Sequence, residues 1–123
     1  MLELKNTLKN LRQVQGEPAV SVFIPTHRTF PDNEQDSIAL KNQLKTLEER
    51  LTAEHDKRTV KAVLDQIDTE IKHLNHNYNL DTLAIFATPE QAQLIRLPFD
   101  VEERVIIDKQ YSTRDFIRML SHS

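Results

Sequence analysis

Val20-Ser21-Val22-Phe23-Ile24, running into Pro25-Thr26-His27-Arg28, is the stretch whose reading decides the fold. β-branched and aromatic residues dominate it and both of its faces are largely apolar, so it predicts an interior strand rather than an edge. Pro25 ends the strand. The next residues, Thr26 to Gln35, include Pro31, Asp32 and Asn33 and have loop chemistry, after which Asp36 or Ser37 is placed to cap a helix.

Upstream, Leu4, Leu8 and Leu11 step by four and three, which predicts a short amphipathic helix stopping near Gly16 and Pro18. Downstream, Leu40, Leu44, Leu47 and Leu51 share that rhythm, as do Val60, Leu64, Ile67, Ile71 and Leu74. Two such seams joined by Thr52 to Lys57 predict an antiparallel helical hairpin. Leu83 to Ala87, Gln93 to Leu97 and Arg104 to Asp108 read as three more strands, and a helix starting at Ser112 or Thr113 closes the sequence. The expected fold class is α+β. A mostly antiparallel sheet of about four strands packs against a long antiparallel helical hairpin, with short N- and C-terminal helices.

Composition narrows the chemistry. A chain of 123 residues suits a single domain over 1–123. Its only glycine is Gly16, which excludes the several-glycine phosphate loops and the nucleophile elbow. Without cysteine it has neither disulfides nor thiolate chemistry. A net charge of −3 gives no overall footprint for nucleic acid, so any RNA contact has to be a local patch. The absence of a long apolar run and of an N-terminal leader leads us to expect a cytoplasmic protein with no membrane contact.

Such a patch is placed where the first strand leaves the sheet. Thr26, His27 and Arg28, then Gln35, Asp36, Lys41, Asn42 and Lys45, are the candidate contacts for an anion or RNA. Lys41 and Lys45 are like charges one helical turn apart, an arrangement that a bound anion would relieve. Against this stands a plain surface in which Arg28 pairs with Asp32, Glu34 or Asp36 and Lys45 pairs with Glu48 or Glu49. His27 with Asp36 as its orienting carboxylate is a further alternative, an acid–base pair if the two side chains meet. His73 and His76 lie three apart but look like a hydrated helix end, so no metal or cofactor is expected. Phe30 and Phe99, each beside a proline, are read as packing residues, and Tyr78 and Tyr111 as surface anchors.

Taken together, Val20 to Arg28, Gln35-Asp36 and Leu40-Lys41-Asn42 resemble the opening of bacterial members of the archaeo-eukaryotic release factor family. Leu83 to Phe86, Arg96-Leu97-Pro98 and Val105 to Ile107 are similar to that family's next strands in order and spacing. The resemblance implies the N-terminal domain of a longer protein, followed by a middle and a C-terminal domain, and a role at the ribosome in termination, rescue or quality control. It implies no catalysis here, because the family's hydrolytic Gly-Gly-Gln loop belongs to the middle domain. The codon-reading Asn-Ile-Lys-Ser motif is also missing; the expected hairpin tip reads Thr52-Ala53-Glu54-His55-Asp56-Lys57. The implied partners are the ribosome or RNA and the downstream domains of the same polypeptide. The alternative is a protein–protein scaffold, dimerising through the hairpin or a free sheet edge without nucleic acid.

Overall fold

The computed structural model describes residues 2–113. Seven main elements follow in the order α1 (Leu2–Arg12), β1 (Gln15–Pro25), α2 (Asp36–Glu54), α3 (Lys57–Ile71), β2 (Thr82–Ala87), β3 (Ala92–Leu97) and β4 (Arg104–Gln110). Two short 3-10 turns, Asp32–Gln35 and His76–Tyr78, lie just before α2 and just before β2. The expected C-terminal helix lies outside the described residues.

The strands form one four-stranded sheet in the order β3-β2-β1-β4, and every neighbouring pair is antiparallel. β1 is therefore interior, as its two apolar faces require. Val22 lies opposite Ile85 on one side and opposite Val105 on the other. Alternation along β1 divides the core. Val20, Val22 and Ile24 join Leu83, Ile85 and Val105 beneath α2 and α3, where Leu40, Leu47, Leu51, Val60, Val63 and Ile67 close over them.

The hairpin expectation is met only in part. α2 has 19 residues and α3 has 15, and the link is just His55-Asp56 rather than Thr52 to Lys57. Asp56 is the reason the link is so short. Its carboxylate accepts from the Thr59 N–H at 3.0 Å, capping α3 immediately after α2 ends. The seam residues Leu64, Ile71 and Leu74 are only partly buried, whereas Val63, outside the seam, is sealed.

A second core fills the opposite face of the sheet. Ala19, Phe23, Ala84, Phe86, Ile95 and Leu97 meet Leu11 of α1, Val101 and Tyr111 there, with Phe99 packed against them. Phe86 is its centre, edge-on to Phe23 at 5.9 Å and 5.2 Å from the Tyr111 ring. Tyr111 is thus no surface anchor; burial pushes the pKa of its hydroxyl up to about 12. Thr82 fixes the β3–β4 connection over this core, donating to the Phe99 carbonyl and accepting from the Val101 N–H.

Gly16 and Pro18 do not stop α1, which ends at Arg12; both are inside β1. Gly16 is needed there for close approach. A Cβ on it would lie 2.6 Å from Thr88 Cγ2 and 3.0 Å from Thr88 Cβ. Thr88 cannot yield cheaply, because it is buried and its hydroxyl accepts from the N–H groups of Glu90 and Gln91 and also bonds Tyr111. Gly16→Ala should therefore destabilise the domain by about 1–3 kcal/mol, against the small gain a tolerated Gly→Ala change brings. Urea unfolding of the variant measures the sign, and a gain in stability would rule out the close approach.

Candidate functional site

The loop that leaves β1 is anchored at its start. Thr26 is buried, its N–H donating to the Asp81 carbonyl at 3.0 Å and its hydroxyl to the Leu80 carbonyl at 2.6 Å. Next, the Arg28 guanidinium donates from Nε to Asp81 Oδ1 at 2.8 Å and from Nη2 to Asp81 Oδ2 at 3.2 Å. This two-pronged pair raises the pKa of Arg28 and lowers that of Asp81. The partner differs from Asp32, Glu34 and Asp36, the three the sequence put within reach. Arg28 ties the β1 exit to the start of β2, and Asp81 offsets its charge.

His27 sits between these anchors with its side chain 48% exposed, while the Asp36 carboxylate it faces is 1% exposed. His27 Nδ1 lies 2.9 Å from Asp36 Oδ1, and the His27 N–H donates to Oδ2 at 3.0 Å. Asp36 is the first residue of α2 and its carboxylate does not cap that helix; the N-cap is Gln35, without a side-chain bond. Its carboxylate is instead turned back onto the loop, where Asn79 Nδ2 supplies a third donor at 2.8 Å. The hydrogen bond to Asp36 and its negative charge, with a smaller effect from Asp32, raise the pKa of His27 despite opposing desolvation. The imidazole is thereby held with Nδ1 inward, leaving Nε2 to take a proton or, when protonated, to donate to an anion.

The remaining candidates lie elsewhere on α2. At 100° per residue, Lys41 and Lys45 stand about 140° and 180° around the helix from Asp36. Gln35, Lys41, Asn42 and Lys45 all lie on the solvent side, with no buried member. Among the described residues neither lysine has an ion pair, Glu48 and Glu49 included. The eight sequence candidates thus fall into three groups: an anchored pair, Thr26 and Arg28; a polarised pair, His27 and Asp36; and a solvent-facing set, Gln35 with the stripe on α2.

Sequence reasoning missed Asn33, His76, Asn79 and Asp81. Asn33 is 5% exposed and donates from Nδ2 to the His76 carbonyl at 3.3 Å, joining the two 3-10 turns. His76 is no fraying end, since its Nδ1 is 2.9 Å from Asn79 Nδ2. A surface cleft of ≈ 290 Å³ is lined by Phe30, Asn33, Glu34, Ser37, Asn75 and His76. Phe30, expected to pack, is 72% exposed; Ile38 at 61% and Tyr78 at 69% are the other large exposed apolar side chains among the described residues.

No group of three or more His, Asp or Glu among the described residues could hold a metal ion, and no helix there is long and apolar enough to cross a membrane. No protein-family model matches the chain, and no curated protein matches it.

Proposed function

We propose that the chain is a non-catalytic recognition module of a release-factor-like protein, acting in the cytoplasm at the ribosome and engaging RNA through His27 and the lysine stripe of α2. The observation that carries this reading is the His27–Asp36 contact at 2.9 Å. An exposed imidazole aimed by a buried carboxylate is a placed group, whereas a solvated surface histidine has no fixed direction. Lys41 and Lys45, without ion-pair partners among the described residues, add two cations for phosphate contact. Arg28 is left out of the patch, because Asp81 already occupies its guanidinium.

Co-sedimentation with ribosomes across a salt series tests the proposal. The variant Lys41→Ala/Lys45→Ala should bind at least about tenfold more weakly at low salt, with the slope of log K on log salt smaller by about 1.5. His27→Ala should weaken binding further, while Lys57→Ala/Arg58→Ala at the far end of the helix pair should not. Unchanged binding in the first variant would end the RNA reading.

The exposed Phe30, Ile38 and Tyr78 support a second reading, a homodimer scaffold. Sedimentation equilibrium separates the two. A dimer that Phe30→Ser/Tyr78→Ser dissociates, with no ribosome binding, would replace the first reading.

A further inference from the structure

Asp36 is shared by two histidines, one bonded to it directly and one through an amide. Asn79 is 2% exposed and its Nδ2 has only two N–H groups. One points at Asp36 Oδ2, 2.8 Å away, and the other at His76 Nδ1, 2.9 Å away. Asn79 Oδ1 is sealed from solvent and has no partner among the described residues. Turning the amide over would set that oxygen against the carboxylate of Asp36. The charge of Asp36 therefore fixes the amide, and the amide fixes His76 as the tautomer with a bare Nδ1 and its proton on Nε2. His27 is fixed the opposite way, because its Nδ1 must carry the proton it gives to Asp36.

We propose that His76, Asn79, Asp36 and His27 form one proton-coupled chain, in which protonation of His76 breaks its bond to Asn79 while protonation of His27 tightens its hold on the Asp36 carboxylate. A proton on His76 Nδ1 sets N–H against N–H. The conflict ends when the ring swings away, because turning the amide over would set its oxygen against the Asp36 carboxylate. A proton added to His27 goes to Nε2, on the open side of the ring, and adds charge attraction without moving any donor. Acid thus releases His76 from the network while His27 and Asn79 stay on Asp36, and the cleft that His76 lines changes together with the exposed imidazole.

The surrounding charges frame this device. Glu34 lines the cleft with His76, Arg96 of β3 donates to the Asn75 carbonyl next to His76, and Asp32 acts on His27. Arg28 and Asp81 are occupied with each other. The device needs no RNA, so it stands or falls apart from the function proposed above.

Long-range 1H–15N correlation spectra of the 15N-labelled chain test it. On the alkaline side, His76 should show the bare-Nδ1 pattern and His27 the reverse. During acidification the side-chain NH2 signals of Asn79 should move along the titration curve of His76. His76→Gln supplies an amide oxygen as a permanent acceptor and should abolish that step while His27 still titrates. A proton on His76 Nδ1 in alkali would overturn the chain. So would Asn79 signals that stay flat or follow His27, or a step that survives in His76→Gln.

Discussion

Phe86→Ala is expected to lower the unfolding free energy by about 4 kcal/mol, near the upper end of what a single core truncation costs. Phe86 is fully buried on β2, and its ring is the common neighbour of Phe23 and Tyr111. Ala leaves a cavity beside the Phe23 and Tyr111 rings, under strands held in register by their ladders. For a domain with a total stability of roughly 5–15 kcal/mol the variant would be marginal. Chemical denaturation measures the loss, and Phe30→Ala is the control: with 72% of that residue exposed, it should cost less than about 0.5 kcal/mol. Equal effects at the two positions would contradict the second core.

Asp36→Ala comes next, at about 3 kcal/mol, and almost none of that is lost charge attraction, since half of His27 is in water. It comes from stranded donors: the His27 N–H and the buried Asn79 Nδ2 each lose an acceptor. The loss should also depend on pH in a definite direction. The folded-state pKa of His27 is raised, so its contribution is full below the ordinary 6.5 and is lost as pH rises through the raised value. The stability gap between wild type and Asp36→Ala should therefore be wider near about pH 5.5 than near about pH 8.5. Denaturation curves at the two pH values check this. A gap that widens with rising pH would show that Asp36 does not raise the pKa of His27.

Most of the sheet could be read from local pattern. Val20 to Ile24 announced an interior strand because an interior strand must be apolar on both faces, and the three later strands shifted by only a residue or two at their ends. The second core was less visible. Its members from outside the sheet, Leu11, Val101 and Tyr111, are isolated residues whose burial depends on what the chain brings over them. Gly16 and Pro18 misled for a related reason: they look like helix stops, yet a strand accommodates both, with Gly16 against Thr88.

The site divided along the same line. His27 and Asp36 stand nine residues apart, and their pairing could be posed as a question from the sequence. Asn79 and Asp81 complete the arrangement from across the fold, the Arg28–Asp81 bond spanning 53 positions. Nothing in the polar run from Asn75 to Asp81 marks Asn79 as buried. It stands between Tyr78, which is exposed, and Leu80, and only the meeting of the two 3-10 turns takes it out of water.

The strand order has a kinetic consequence. β2 and β3 are joined by a tight turn and can zip from it, as Thr88 N–H bonding to the Gln91 carbonyl shows. The two middle strands, β1 and β2, are instead separated by the whole of α2 and α3. Bringing Val22 opposite Ile85 means closing that long connection before any of the central ladder is gained. The β2–β3 side of the sheet can thus assemble early, while β1 waits for the helices to fold back. Folding speed should therefore be set by closure of that loop.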